Sequence, residues 1–292
     1  MSKRKSALEN LKDFWPEGAS QIDQVKKYVT KYQNDTLVIK CGGKILVDPQ
    51  LLKNFTNDIS ILKKLGMNII IVHGGGPRIK KKLDELNIKS NFIRGLRVTD
   101  DKTMGVVEEV LENFNSEIVN DLNKKSCNAK GISVGKNNIF LVEPENKELG
   151  FVGKPKKILN DKIYELLKSK YLPVLSPMGL DEKNQKYNIN ADTAASALAK
   201  SIRARRLLLM TDVEGVYDKN KKPISEINPK NAKKLIENKV VNGGMIPKLE
   251  NCIDAVGNGV RGVVIIDGRK PHSILDEIFS DKGSGTLIRE WK

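Results

Sequence analysis

Apolar residues recur along this chain in two rhythms. Short runs are apolar almost throughout: Thr36–Lys40, Asn68–Val72, Leu172–Ser176, Arg206–Met210 and Val263–Ile266. Runs of that length, bounded by glycine or proline, read as strands buried on both faces. Between them apolar residues return every three or four positions. Leu51, Phe55, Ile59 and Leu62 form one such stripe, closing at Gly66, and Ile79, Leu83 and Leu86 form another. Further helices are predicted over 101–125, with Asp100 or Asp101 as N-cap, and over 161–170, 190–201, 231–237, 247–256 and 272–279. Residues 131–152 alternate and carry Gly and Pro, so they read as hairpin-like strands; 285–288 is a last short strand. Residues 1–33 read as one or two helices ahead of the main domain. Ile22, Val25, Val29 and Tyr32 make their apolar stripe, and Pro16-Glu17-Gly18 interrupts it. Apolar strands alternating with helices predict an α/β fold: a mainly parallel sheet covered on both faces, with ligands at the carboxyl ends of its strands.

Composition narrows the function class. The chain has 292 residues, 39% hydrophobic and 30% charged, enough for one large or two modest cores. No stretch approaches the ~18 consecutive apolar residues of a membrane span, and MSKRKSALENLKDFW lacks the apolar segment of a secretory signal. Cys41, Cys127 and Cys252 are far apart, and with only His73 and His272 they form no zinc-ligand spacing. Free thiols in a reducing cytoplasm are expected. The net charge of +15 first suggests nucleic acid. But the lysines are spread along the whole chain; short runs such as Lys80-Lys81-Lys82 and Lys156-Lys157 fall on predicted helices or loops. Without an RNA-binding aromatic signature or a helix-turn-helix pattern, a solvated basic surface that attracts anionic substrates is the better reading.

The candidate chemistry sits where strands end. Ile71-Val-His-Gly-Gly-Gly-Pro77 places three glycines between a buried strand and a helix. There the backbone can approach a ligand closely, and the free N–H groups of the helix start favour an anion. It is neither G-x-G-x-x-G nor a Walker loop. Lys40 ends the first strand before Gly42-Gly43. Alone it is equally well a lysine reaching for solvent; beside the glycine turn it suits phosphate chemistry. Gly243-Gly244-Met245-Ile246-Pro247-Lys248 repeats the theme, with a lysine where the helix dipole disfavours one. In Asn188-Ile189-Asn190-Ala191-Asp192, Asn190 reads as a cap, and Asp192 either complements the dipole or holds the two lysines. Thr211-Asp212 offers a hydroxyl and a carboxylate to a nucleotide or Mg²⁺. Arg97, in Gly95-Leu-Arg-Val-Thr-Asp100, either clamps a substrate carboxylate or makes a surface ion pair.

Taken together, Lys40-Cys-Gly-Gly43, His73-Gly-Gly-Gly-Pro77, Gly95–Asp100, Asn188–Asp192, Thr211-Asp-Val-Glu-Gly215 and Gly244–Lys248 resemble the amino acid kinase family in kind and order, over residues 36–288. Within it they resemble most the branch that phosphorylates N-acetyl-L-glutamate in arginine biosynthesis. The resemblance implies a three-layer αβα sandwich with an open, mainly parallel sheet. It also implies an N-terminal helical extension (1–33), an N-terminal lobe for the acyl amino acid (34–185) and a C-terminal lobe for ATP (186–292). It implies Lys40 and Lys248 as stabilisers of the transferring phosphoryl group and Asp192 as their organiser. Gly75, Gly76, Arg97 and Asn188 become acceptor contacts, Gly42, Gly43, Thr211 and Asp212 ATP contacts, and Mg²⁺ accompanies ATP. The N-terminal helix and the 272–288 segment resemble the arginine-inhibited hexameric branch. That makes Tyr28, Lys222, His272, Glu277 and Gly283 candidate L-arginine contacts, the assembly a homohexamer built as a trimer of dimers, and a signalling protein a candidate partner. Two other readings stay open: a sister kinase acting on carrier-bound aminoadipate, and a non-catalytic arginine sensor on the same fold.

Overall fold

In the computed structural model, described for residues 8–19, 22–32, 35–135 and 137–291, the chain builds one eight-stranded sheet with helices on both faces. Its centre is β1 (Thr36–Cys41), flanked on one side by β2 (Asn68–His73) and on the other by β11 (Arg206–Thr211). Beyond β2 come β8 (Leu172–Leu175) and then β5 (Ala129–Ile132). Beyond β11 come β15 (Val263–Asp267), β16 (Gly285–Ile288) and β14 (Glu226–Ile227). Every pairing is parallel except β15 with β16. The predicted strands form because side chains of both parities are buried. The backbone polar groups must then pair within the sheet, since neither face offers water.

Alternation along β1 divides the core. Leu37, Ile39 and Cys41 join Ile69 and Ile71 in one layer with α1 (Ile22–Lys31), α2 (Pro49–Lys64) and α9 (Ser273–Phe279). Val38, Ile70 and Val72 face the opposite layer. That layer is shared with α5 (Asn160–Lys168), α6 (Ala191–Ser201), α7 (Pro229–Glu237) and α8 (Met245–Gly257). Lys40 has the parity of Val38, so it emerges on the α6/α8 side, whereas His73 has the parity of Ile71 and turns the other way. This division decides which residues meet at the strand ends.

Several expectations shift. Residues 131–132, at the start of the segment read as hairpin-like, belong instead to β5, an edge strand of the main sheet. β6 (Phe140–Pro144) and β7 (Gly153–Ile158) do pair antiparallel, and with β9 (Met178–Leu180) and β10 (Lys186–Asn188) they form a separate four-stranded sheet. Lys156-Lys157 lie on β7 rather than on a helix or loop. A two-residue hairpin, β3 (Phe92–Ile93) and β4 (Leu96–Arg97), follows α3 (Gly76–Glu85) and precedes the long α4 (Asp101–Lys124), which Asp100 caps through Thr103 N. Asn188, assigned to the second lobe, is on β10, which pairs with β9 of the first. In the N-terminal extension, Val25 and Val29 of α1 and Tyr32 just beyond it are buried against the body of the same chain, and Leu11 and Trp15 pack there too. Residues 1–7, 20–21 and 33 of that segment lie outside the described residues.

Candidate active site

The carboxyl ends of β1 and β2 open onto a cavity of about 250 Å³ lined by Lys40, the glycines 42–43 and 74–76, Arg97, Asn188 and Asp192. β1 and β2 pair in register, Lys40 opposite Val72 and Cys41 opposite His73, so the two glycine turns leave the sheet side by side. Gly74 N donates to Cys41 O at 2.8 Å and ties them together.

The turns need their glycines. Gly43 has φ +68°, and a Cβ there would lie 2.3 Å from Asp212 Oδ1. That carboxylate accepts the Lys44 N–H at 2.7 Å, so Asp212 fixes the first turn from β11. A Cβ on Gly75 would lie 2.5 Å from Leu111 of α4, while one on Gly76 would meet nothing within 4 Å. The second turn is therefore pressed against α4 on one side and open on the other. Thr211 ends β11 opposite Asp267, and its carbonyl accepts from Gly268 N.

Asp192 joins the two halves. It lies in the first turn of α6, which Asn190 caps by accepting the N–H groups of Asp192 and Thr193. Lys40 Nζ sits 3.0 Å from its Oδ1, and Lys248 Nζ donates to its Oδ2. All three side chains are at most 15% exposed. Burial pushes the Asp192 carboxyl up, but the two ammonium groups outweigh it and hold the group well below the usual carboxylate range. With two cations on one anion, the cluster carries net positive charge at the cavity wall, where it favours an anionic ligand.

Arg97 is buried at the end of β4, its guanidinium carbon 4.7 Å above the Phe92 ring. It donates to Ser90 Oγ and, at 3.1 Å, to Gly76 O. Burial lowers its pKa. Asn188 donates to Thr99 Oγ1 at 3.4 Å and lines the same wall. The structure thus gathers Lys40, Gly42, Gly43, Gly75, Gly76, Arg97, Asn188 and Asp192 around one cavity, with Lys248 bonded to Asp192; Thr211 and Asp212 do not line it, and Asp212 reaches the first turn only through Lys44 N. Sequence reasoning missed Ser90, which steadies Arg97, and the apolar walls Leu46, Leu111 and Val152; Ile79, read only as part of a helical stripe, lines the cavity too. Among the described residues no group of three His, Cys, Asp or Glu side chains could hold a metal, and no helix is long and apolar enough to cross a membrane.

Of the five candidate arginine contacts, Tyr28, Glu277 and Gly283 line a second cavity of about 570 Å³ between α1 and the 277–289 segment. Tyr28 donates to Asp281, and Glu277 accepts the Ser284 N–H at 2.8 Å. Burial pushes the Glu277 carboxyl up. Lys222 and His272 do not line this cavity. Lys222 N donates to Asp218 in the turn between β12 (Val216–Tyr217) and β13 (Pro223–Ile224). His272, with φ +58° at the start of α9, places Nδ1 2.7 Å from Asp58 of α2.

Residues 35–267 match the amino acid kinase family. The acetylglutamate kinase of Pelagibacter ubique is 56% identical over 282 residues, covering 97% of this chain and 98% of that one. That of Clostridioides difficile is 43% identical over 94% of this chain and 98% of its own length. Among solved structures, N-acetylglutamate synthase from Neisseria gonorrhoeae superposes with a TM-score of 0.85 at 21% identity, over 94% of this chain and 64% of that longer one. Carbamate kinase from Giardia lamblia gives 0.68 at 17% identity, over 89% of this chain and all of that one. These two show a shared fold, and the extended family match joins it to the phosphate-cradle motifs: the chain belongs to the amino acid kinase family.

Proposed function

We propose that the chain transfers the γ-phosphoryl group of ATP to the γ-carboxylate of N-acetyl-L-glutamate, a step of arginine biosynthesis. The observation that carries this reading is Asp192, held between Lys40 from β1 and Lys248 from α8. A carboxylate acceptor is already a nucleophile, so the reaction needs no general base. What it needs is alignment of two anions and neutralisation of the charge spread over the transferring group. Two ammonium groups spaced by one carboxylate, beside glycine turns that admit phosphate oxygens, supply that. The cradle fits the ATP phosphates. Asp192 has both oxygens occupied by lysines, so Mg²⁺ would enter with the phosphates, with Asp212 the nearest carboxylate of the first turn. When bound, Mg²⁺ supplies further neutralising charge. Gly75, Gly76, Arg97 and Asn188 are assigned to the acceptor, and Arg97 to its free carboxylate. The two lobes, 34–185 and 186–292, then meet along the β1–β11 pairing.

The names of the relatives support N-acetylglutamate over carrier-bound aminoadipate, and the intact Lys40, Asp192 and Lys248 favour a kinase over a pure sensor. A hydroxamate assay comparing N-acetylglutamate, glutamate and N-acetylaspartate tests the substrate. Feedback inhibition by L-arginine is the second part of the proposal. Its support is the cavity that joins Tyr28, Glu277 and Gly283, where a buried carboxylate suits a guanidinium. A hexameric, cytoplasmic enzyme completes the reading.

A further inference from the structure

Behind the second glycine turn lies a polar network that the proposed phosphoryl transfer does not itself use. His73 is fully buried, edge-on to Phe114 of α4 with ring centroids 5.2 Å apart. Its Nδ1 lies 2.9 Å from Gly74 O. Its Nε2 lies 3.1 Å from Asn115 Nδ2 and 3.2 Å from Ser176 Oγ. Asn115 Nδ2 also donates to Val174 O at 2.9 Å.

The chemistry of these partners fixes the ring. A peptide carbonyl only accepts, so Val174 O must face the amide nitrogen of Asn115 and not its oxygen. That nitrogen then presents its other N–H to His73 Nε2, which must accept. Ser176 Oγ can donate to the same atom. At the other end Gly74 O can only accept, so Nδ1 must carry the proton. Both ends demand one tautomer. Desolvation agrees with a neutral ring, lowering the His73 pKa to about 4.

The consequence lies one peptide further on. In a trans peptide the N–H points opposite to the C=O. With Gly74 O drawn toward the α4 side of the sheet, the Gly75 N–H is aimed at the opposite side, where Lys40 and Asp192 lie. Gly75 is itself pressed on Leu111, so the turn cannot roll over α4 to relieve a misdirected peptide. We propose that His73, as the neutral Nδ1–H tautomer held by Asn115 and Ser176, is a positioning residue that aims the Gly75 N–H at the anion in the cavity. The ring never touches substrate; it acts through the Gly74 carbonyl. The role assigned to the turn rests on the phosphoryl-transfer reading, but the state of the ring does not.

Two measurements test this. The chain has only two histidines, so protein labelled with ¹⁵N-histidine gives two ring systems, and His272→Gln assigns them. At pH 7 the His73 ring is expected to carry its proton on Nδ1 and to stay neutral down to pH 5.5. A proton on Nε2, or an imidazolium, would overturn the proposal. The second measurement compares His73→Asn with His73→Gln. The asparagine amide can replace the Nδ1–H donor to Gly74 O; the longer glutamine carries its amide past it. His73→Gln is expected to lower kcat by about 10- to 100-fold with both KM values changed less than about 3-fold, and His73→Asn to stay within about 5-fold of wild type. Equal losses in the two variants, or an unaffected His73→Gln, would overturn it. Should His73→Gln fail to fold, the ring state decides alone. Wild-type protein inert toward N-acetylglutamate would remove the substrate reading and leave the ring measurement standing.

Discussion

Lys40 and Lys248 stand 208 positions apart in sequence and share one carboxylate, Asp192, each bonded to a different oxygen. One lysine ends a strand and the other opens a helix, so neither could find the other through local structure. Removing the carboxylate would leave two buried ammonium groups facing each other. Asp192→Asn keeps the shape and deletes the charge. It is expected to lower kcat by about 10²-fold or more, and Lys248→Ala by at least about 10²-fold, as lost transition-state stabilisation does elsewhere. Steady-state rates at saturating ATP check both.

Arg97 predicts a different kinetic pattern. Its guanidinium lies over the Phe92 ring and is held by Ser90 and Gly76. Arg97→Lys keeps the charge and loses the planar fork. The acceptor KM should rise by about 10-fold or more while kcat changes little, since a carboxylate remote from the reacting atoms is bound equally in ground and transition states. A comparison of KM for acceptor and for ATP checks this, with the ATP value expected to hold.

The second cavity changes how inhibition must be tested. Deleting residues 1–33 is the obvious experiment from sequence, but Val25, Val29 and Tyr32 are buried against α2 and α9, so deletion would uncover core. Glu277→Gln is the cleaner variant: it leaves α1 in place and removes a buried charge. Its half-inhibitory L-arginine concentration should rise by about 10-fold or more, as loss of a charge-assisted contact implies, with uninhibited activity retained. An arginine titration of the two proteins checks it.

The His272–Asp58 pair gives stability a pH dependence. The hydrogen bond to Asp58 raises the His272 pKa above its ordinary value. A raised folded-state value means the contribution is fully present below the unfolded value of about 6.5 and is lost as pH rises through the folded one. On Asp58, burial pushes the carboxyl up and His272 pulls it back. Its charged form is thus costly without the histidine. Thermal melts from pH 6 to 9 should show wild type losing stability relative to His272→Gln as pH rises.

Much of this is legible in the sequence because strands buried on both faces leave unbroken apolar runs, and because glycines cluster where chain and ligand approach. Two successive apolar runs, each ending in glycines, are enough to set Lys40 beside the 74–76 turn once β1 and β2 pair. Strands of two or three residues, such as β3, β4 and β10, are not legible, since so short a segment has no periodicity. β5 is misread because Lys130 and Gly131 interrupt its apolar pattern: it is an edge strand, and Asn115 fills the notch at Gly131. The His73 network is hidden for a different reason. Asn115 lies inside α4, where its spacing reads as a core position with one polar exception, and only the sheet brings it to His73.

The central claim is that these groups phosphorylate the side-chain carboxylate of N-acetylglutamate. The most direct measurement is hydroxamate formation by the wild-type protein with ATP and Mg²⁺, given N-acetylglutamate or free glutamate at equal concentration. The account predicts turnover of N-acetylglutamate and little of glutamate. Equal turnover of the two, or none of N-acetylglutamate, would contradict it.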